Sequence, residues 1–246
     1  MKVLICIDDT DNLESRGTGE LATMLAEEIQ RRSWGSSDFV TRHQLLVHPD
    51  VPYTSHNSSM CFAADIEETV LEPLIAYAGD FLQQESAEGS DPGLCVSVLE
   101  KLTEPEAIIA FGHSAKKEVL TKQAAYDMAA RLGVHLSEHG GTGQGVVGAL
   151  AGIGLRLSGN DGRLKGWLKI RTEDGLASVG EILSQTSLGG VRTMEGELLS
   201  DTEMVEVEEK PKAVLLDGQI YMMVSALADG GRARWRTTPR QQLKRF

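Results

Sequence analysis

From Val3 to Ile7 the chain is unbroken apolar, and this run predicts a first β-strand close to the N-terminus. Leu21, Met24, Leu25 and Ile29 then recur at helical spacing and predict a helix over 20–31. Gln44 to His48 and Met60 to Ile66 read as strands. Thr69 with Glu72 has the form of a capping box, opening a helix that buries Val70, Leu71, Leu74, Ile75, Ala78, Phe81 and Leu82. Leu94 to Leu99 reads as a strand, Ser114 to Leu132 as a long helix stopped by Gly133, and Val134 to Leu136 as a short extended piece. Val146 to Leu155 is apolar enough for a buried helix, and Gly159 to Gly162 suggests a hairpin tip. Two strands around Asp217-Gly218 predict a hairpin over 212–226. Strands and helices alternate, so the expected fold is α/β: a mixed sheet with flanking helices plus a small C-terminal β appendage. The expected boundary lies at 193, with an acidic linker, the hairpin and a basic tail over 194–246.

The candidate chemistry starts where the first strand ends. Ile7-Asp8-Asp9-Thr10-Asp11 places three carboxylates in four positions at the C-terminal end of a strand, where α/β sheets place ligands. A turn through Thr10 brings Asp8 and Asp11 to one locus, and a Mg²⁺ ion carrying phosphates would relieve their repulsion. An acid-rich turn linking strand to helix accounts for the same residues.

A glycine loop, His139-Gly140-Gly141-Thr142-Gly143-Gln144-Gly145, precedes the apolar helix. Such a loop at a helix N-terminus admits a phosphate, and it also serves as a plain connection to a tightly packed helix. No Lys-Ser or Lys-Thr follows, so it is not a Walker loop. Gly143, Gly145 and Gly148 match the dinucleotide fingerprint, but no acid follows at the spacing a ribose contact needs. His135 to His139 matches a zinc-peptidase pattern, yet in a strand the two histidines lie roughly 13 Å apart. The loop from Tyr53 to Ser59, with Thr54, His56, Asn57 and Ser58, is dense in hydrogen-bonding groups before a strand. His113 to Lys117 opens the expected long helix and offers a second place for an anion, although lysines there ordinarily face water.

Composition narrows the choice. With 246 residues and 41% hydrophobic content the chain can form one large domain, or a domain plus an appendage. A formal charge of −12 argues against broad nucleic-acid binding. The exception is local: Arg232, Arg234, Arg236, Arg240, Lys244 and Arg245 follow one another with no acid between. Cys6, Cys61 and Cys95 stand singly in apolar segments, as packed thiols do. The early first strand leaves no room for a signal peptide, and no apolar run would span a bilayer, so a reducing cytoplasm is expected.

Together these residues resemble a known family. The acidic motif followed by Gly17 and a helix, the Pro49-Asp50-Val51-Pro52-Tyr53 loop, and the stretch Gly143 to Gly154 are similar, in order, to the archaeal tRNA 2-agmatinylcytidine synthetases. Ser90-Asp91-Pro92-Gly93 is a further match, and the resemblance covers roughly residues 1 to 160, the kinase-like domain. It implies an enzyme that uses ATP and Mg²⁺ to phosphorylate the C2 carbonyl oxygen of a cytosine, so that agmatine displaces phosphate. On that basis Asp8, Asp9 and Asp11 hold metal and phosphates. Contacts to the nucleotide are expected from Thr10, Asn57, Ser58, Gly141, Gly143, Gly145 and Lys116, with His56 or His113 carrying a proton.

The chain departs from the family's pattern in three places. It has Gly17-Thr18-Gly19-Glu20 where the family has a Cys-Thr-Thr run, and Thr54 and His56 where the family's loop is basic. It also has no C-x-x-C for a zinc ribbon. The expectation is a stand-alone homologue without OB-fold or zinc ribbon, acting on an amine and a carbonyl compound rather than on intact tRNA by itself. A non-catalytic nucleotide-binding module that docks a partner through the basic tail is the alternative. A dinucleotide-dependent oxidoreductase rests on the glycine fingerprint alone.

Overall fold

β1, Lys2–Asp8, is the middle strand of an antiparallel sheet whose order is β6-β5-β1-β4-β3. The structure is a computed structural model that describes residues 1–51, 57–228 and 231–246. β2 spans Gly35–Ser37, β3 Thr41–Gln44, β4 Ser58–Ile66, β5 Gly93–Val98 and β6 His135–Glu138; β2 also pairs with β4. The strands belong to the first of two compact units, Met1–Ser158, and the second unit is Gly159–Phe246.

Alternate residues of β1 serve two cores, which is why Val3 to Ile7 is apolar without a break. Val3, Ile5 and Ile7 pack with Leu21, Leu25 and Ile29 of α1 (Thr18–Arg31) and with Leu74, Ala78, Phe81 and Leu82 of α2 (Leu71–Glu85). Leu4 and Cys6 face the other way, toward Val146, Ala149, Leu150 and Ile153 of α5 (Gly145–Leu157). Each such side chain fully removed from water contributes about 1.5–3 kcal/mol. α5 is buried almost all round because α3 (Pro105–Ser114) covers its outer side. The two helices approach closely at Gly154, where a Cβ would stand 1.9 Å from the Ile108 carbonyl oxygen. Cys6 lies opposite both Cys61 and Cys95, and all three are free, buried thiols; burial pushes Cys6 and Cys95 up.

Several elements differ from their expected bounds. The helix expected over Ser114 to Leu132 begins late: α3 ends at Ser114, a turn and an extended stretch follow over 115–121, and only α4 (Lys122–Leu132) lies in the expected range. Pro105 opens α3, the Thr121 hydroxyl accepts the Ala124 N–H at 3.1 Å to start α4, and Gly133 ends α4 at φ 64°. The Thr69–Glu72 capping box does not form, because a 3₁₀ turn over Glu68–Val70 precedes α2. β3 falls earlier than the expected strand over 44–48, since Thr41 and His43 are the residues that turn inward. Gly159 to Gly162 connects α5 to the next strand and is no hairpin tip.

The second unit begins before the expected boundary at 193, because residues on both sides of that point pair with one another. Its sheet order is β7-β11-β12-β13-β10-β8, with β9 pairing β12. The strands are β7 Arg163–Leu164, β8 Leu176–Ser178, β9 Gly190–Thr193, β10 Met204–Glu206, β11 Ala213–Leu216, β12 Gln219–Ala226 and β13 Trp235–Thr237. The expected hairpin is β11 and β12, with Asp217 and Gly218 at φ 48° and 74°, as a two-residue I′ turn requires. β10 arises inside the expected linker because Val205 is buried with Val191, Val224 and Trp235. The basic stretch over 232–246 is no simple tail: Ala233, Trp235 and Leu243 are buried, and Arg232 and Arg236 pair with Asp174 and Glu206. A short helix, α6 (Val179–Ser184), opens with a capping box between Ser178 and Glu181. The whole is mixed α/β with flanking helices. No helix among the described residues is long and apolar enough to cross a membrane.

Candidate functional site

The C-terminal end of β1 meets the first residues of β4 and β5 and the last of β6, so four connections gather at one end of the first unit's sheet. Ile7 pairs with Met60 and with Leu94, Asp8 pairs with Gly93, and Gly93 pairs with Glu138. α1 and α5 both begin at this end, with their N-terminal amides toward it.

The acidic stretch leaves the strand sharply. Asp9 takes a left-handed conformation at φ 52°, which aspartate tolerates better than bulkier residues. Asp8 continues the alternation of β1 and faces α5, where its carboxylate fills the space beside Gly148. Asp11 accepts a hydrogen bond from the Thr18 hydroxyl at 3.2 Å, at the first turn of α1. Thr10 is fully buried; its carbonyl accepts the Ala87 N–H at 2.9 Å, and its hydroxyl has no partner among the described residues. The Asx turn expected as the alternative does occur, but one step later: the Asn12 side chain accepts the N–H groups of Glu14 and Ser15, each at 3.0 Å.

Electrostatics separate these acids from an ordinary turn. Burial, then the neighbouring charges of Asp9 and Asp11, hold the Asp8 carboxyl well above the usual range, against one lowering bond from the Asp9 backbone. Burial, then the charges of Asp91 and Asp11, push Asp9 up to about 6. Asp91 is thus the fourth acid of the cluster. Its loop was visible in the sequence as Ser90-Asp91-Pro92-Gly93, but only the pairing of β5 beside β1 shows that it faces Asp9. The donor set is oxygen only, which suits a hard cation. Among the described residues no three His, Cys, Asp or Glu side chains are grouped as a ready-made metal cage. Mg²⁺ seldom needs one, since it keeps several waters and takes one or two carboxylates together with phosphate oxygens.

The glycine loop is tied to this cluster through Asp91. The Asp91 carboxylate accepts the Thr142 N–H and, at 2.6 Å, the Thr142 hydroxyl, while its carbonyl accepts the Gly145 N–H at 3.1 Å. Close packing explains each glycine. A Cβ would lie 1.8 Å from Asp91 Oδ1 at Gly141, 1.6 Å from Glu138 Oε2 at Gly143, and 2.1 Å from the Asp91 carbonyl at Gly145. Glycine here lets protein approach protein. The amides of Gly145, Val146 and Val147 already have carbonyl acceptors. Those of Gly140, Gly141, Gly143 and Gln144 have none among the described residues, so they could take an anion.

No protein-family model matches the chain. Among curated proteins it is similar to TiaS of Methanosarcina acetivorans, a 2-agmatinylcytidine synthetase acting on an isoleucine tRNA. The two are 28% identical over 163 residues, which is 63% of this chain and 36% of that protein. The enzyme of the same name from Pyrobaculum neutrophilum is 28% identical over 162 residues, 63% and 35%. That from Pyrococcus horikoshii is 27% identical over 179 residues, 71% and 40%. Among solved structures, a tRNA fluorescent labeling enzyme superposes with a TM-score of 0.55 at 25% identity, over 63% of this chain and 36% of that one. A complex of TiaS with an isoleucine tRNA and ATP shares the fold with a TM-score of 0.55 at 24% identity, over the same shares of 63% and 36%. The chain contains a partial domain like that of the tRNA 2-agmatinylcytidine synthetases. It spans little more than a third of their length.

Other expected residues sit differently. Asn57 and Ser58 border the acidic end, but their side chains already have work: Asn57 Nδ2 donates to the Leu46 carbonyl at 2.7 Å, and Ser58 Oγ accepts from Arg42 Nε at 2.9 Å. Lys116 lies past the end of α3, next to Ala115, whose carbonyl accepts the Leu46 N–H at 3.1 Å, and makes an interaction of its own. His113 lies in the last turn of α3, the negative end of the helix dipole, so it does not open a helix toward an anion. His56, with Tyr53, Thr54 and Ser55, lies outside the described residues.

The histidine pair also departs from the spacing expected of a strand. β6 points His135, Ser137 and His139 to one side, and both Nε2 atoms reach the Ser137 hydroxyl at 2.8 Å. Burial holds both imidazoles below the usual value; the charge of Glu72 acts against this at His135, and that of Asp80 at His139. The fingerprint glycines stand next to an antiparallel strand pair, whereas a dinucleotide fold needs a parallel βαβ unit.

Proposed function

We propose that the acidic end of β1 binds a Mg²⁺–nucleoside triphosphate and that the chain uses it to activate a carbonyl oxygen for attack by an amine. The observation that carries this reading is the convergence of Asp8, Asp9, Asp11 and Asp91 at one sheet end, with two carboxyls raised by burial and mutual repulsion. Four acids crowded in this way cost free energy that a divalent cation recovers. Asp9 and Asp11 are the ligands best placed for the metal, with Asp8 behind them. The free amides of Gly141, Gly143 and Gln144 and the N-terminus of α1 stand ready for phosphate oxygens. The bound metal supplies charge neutralisation on the transferred phosphoryl group. The chain's own part is to orient the triphosphate and to hold the acceptor in line.

The likeness to synthetases that modify an isoleucine tRNA supports a ligase-type outcome, in which an activated carbonyl oxygen leaves as phosphate. A turnover assay tests this: the chain, Mg-ATP, agmatine as the amine, and cytidine-containing RNA as the carbonyl acceptor, followed by phosphate release. Phosphate formation that needs both agmatine and RNA is the expected result. Tight Mg-ATP binding with no phosphate under any pairing would replace the enzyme by a nucleotide-binding module.

A further inference from the structure

The second unit carries an exposed strip of cations around a single indole. The formal charge of −12 resides in the first unit, which has 11 basic and 23 acidic residues; the second has 13 of each. Within the second unit, exposure alternates residue by residue from Leu164 to Arg171. Lys165, Trp167, Lys169 and Arg171 face water, while Leu168 and Ile170 pack against the core that holds Val179, Ile182 and Val205. Trp167 keeps 49% of its surface exposed, and the Lys210 ammonium stands 5.3 Å from its ring centroid.

The strip is fixed in place. The Leu168 N–H donates to the Pro211 carbonyl at 2.9 Å, Gln185 exchanges two hydrogen bonds with the Arg171 backbone, and the Lys212 ammonium donates to the Gly166 carbonyl. Lys165, Lys169, Arg171 and Lys210 form no ion pair among the described residues, unlike Arg232 and Arg236 of the same unit. The nearest acids along the chain are Glu208 and Glu209 before Lys210 and Glu173 and Asp174 after Arg171, and Asp174 is paired with Arg232.

We infer that this strip is a binding platform for single-stranded nucleic acid, with a base stacking on Trp167 and the flanking cations on phosphates. A large exposed indole costs solvation free energy that a stacked base recovers, and every base has a face to offer. The cations are held in no ion pair among the described residues and are spaced along the strip, which matches a charged backbone and leaves base identity open. A duplex hides its base faces and does not fit. The inference stands apart from the proposed Mg²⁺–nucleotide chemistry.

The test is anisotropy of end-labelled 12-nucleotide oligo(U) and oligo(dT) with the full chain at low salt. Binding should fall with salt at a log–log slope of about −2 to −3, as expected for three or four neutralised phosphates. Trp167→Ala should weaken it roughly 10-fold or more, while Trp167→Phe retains most of it. Lys169→Gln with Arg171→Gln should flatten the slope by about 1.4. Circular dichroism and unchanged Mg-ATP binding show that the variants are folded. Stronger binding of oligo(U) assigns RNA, and equal binding assigns either polymer. Equal affinity for a blunt duplex or for polyphosphate, or no change with Trp167→Ala, overturns the inference.

Discussion

A Cβ on Gly148 would stand 1.7 Å from Asp8 Oδ2, so the Asp8 carboxylate occupies the volume that any side chain at 148 needs. The first acid of the cluster is positioned by a glycine 140 residues away in sequence, on the helix beneath it. Gly148→Ala should therefore lose about 1–3 kcal/mol of stability in urea unfolding and weaken Mg-nucleotide binding. Adding Asp8→Gly should recover the stability and not the binding. Full binding in Gly148→Ala alone would show that Asp8 can move without consequence.

Asp9 titrates near 6 in the fold and near 3.9 in the unfolded chain, so between these values the folded state holds more protons. Stability consequently falls as pH rises through this window and stays reduced above it. Asp9→Asn should raise stability at pH 7.5 by about 1–2 kcal/mol once solvent screening is allowed for, and the gain should vanish toward pH 4. Saturating Mg-ATP should reverse the order of the two proteins. A destabilised Asp9→Asn at pH 7.5 would mean that Asp9 is held by a partner rather than strained.

Asp91 is the largest charge acting on Asp9 and also holds Thr142 in the glycine loop. Asp91→Asn should shift the Asp9 midpoint below 6, read as the pH dependence of Mg-ATP affinity between pH 5 and 7.5. An unmoved midpoint would separate Asp91 from the cluster.

Much of this fold was legible in the sequence. Val3 to Ile7, the stripe Leu21-Met24-Leu25-Ile29, the apolar run from Val146 and the Asp217-Gly218 turn each encode their element locally. Where neighbours in space decide, the sequence was silent. Asp91 joins the site only because β5 pairs with β1, and β10 forms only because Val205 finds a core. The glycines that resembled a phosphate loop are explained by Asp8, Asp91 and Glu138 pressing on them, contacts that no periodicity shows. The helix expected from Ser114 starts only at Lys122, where Thr121 caps it.

His139 Nδ1 is buried without a partner among the described residues, and an orphan lone pair costs less there than an orphan N–H. This sets the direction of the ladder: His139 Nε2–H donates to Ser137, and Ser137 donates to His135 Nε2. Nitrogen-detected NMR at pH 7 should find His139 as the Nε2–H tautomer and His135 as Nδ1–H, with both midpoints below that of free histidine. Ser137→Ala should mix the tautomers. A protonated His139 at pH 7 would contradict the arrangement.

Calorimetry with Mg-ATP at pH 7.5, wild type beside Asp9→Asn, tests the metal–phosphate site most directly. The expected result is one site per chain in the wild type, lost without Mg²⁺ and at least 10-fold weaker in Asp9→Asn, where about 1.4 kcal/mol corresponds to each factor of ten. Equal binding by the two proteins, or no binding by the wild type, would contradict the assignment of the acidic end of β1.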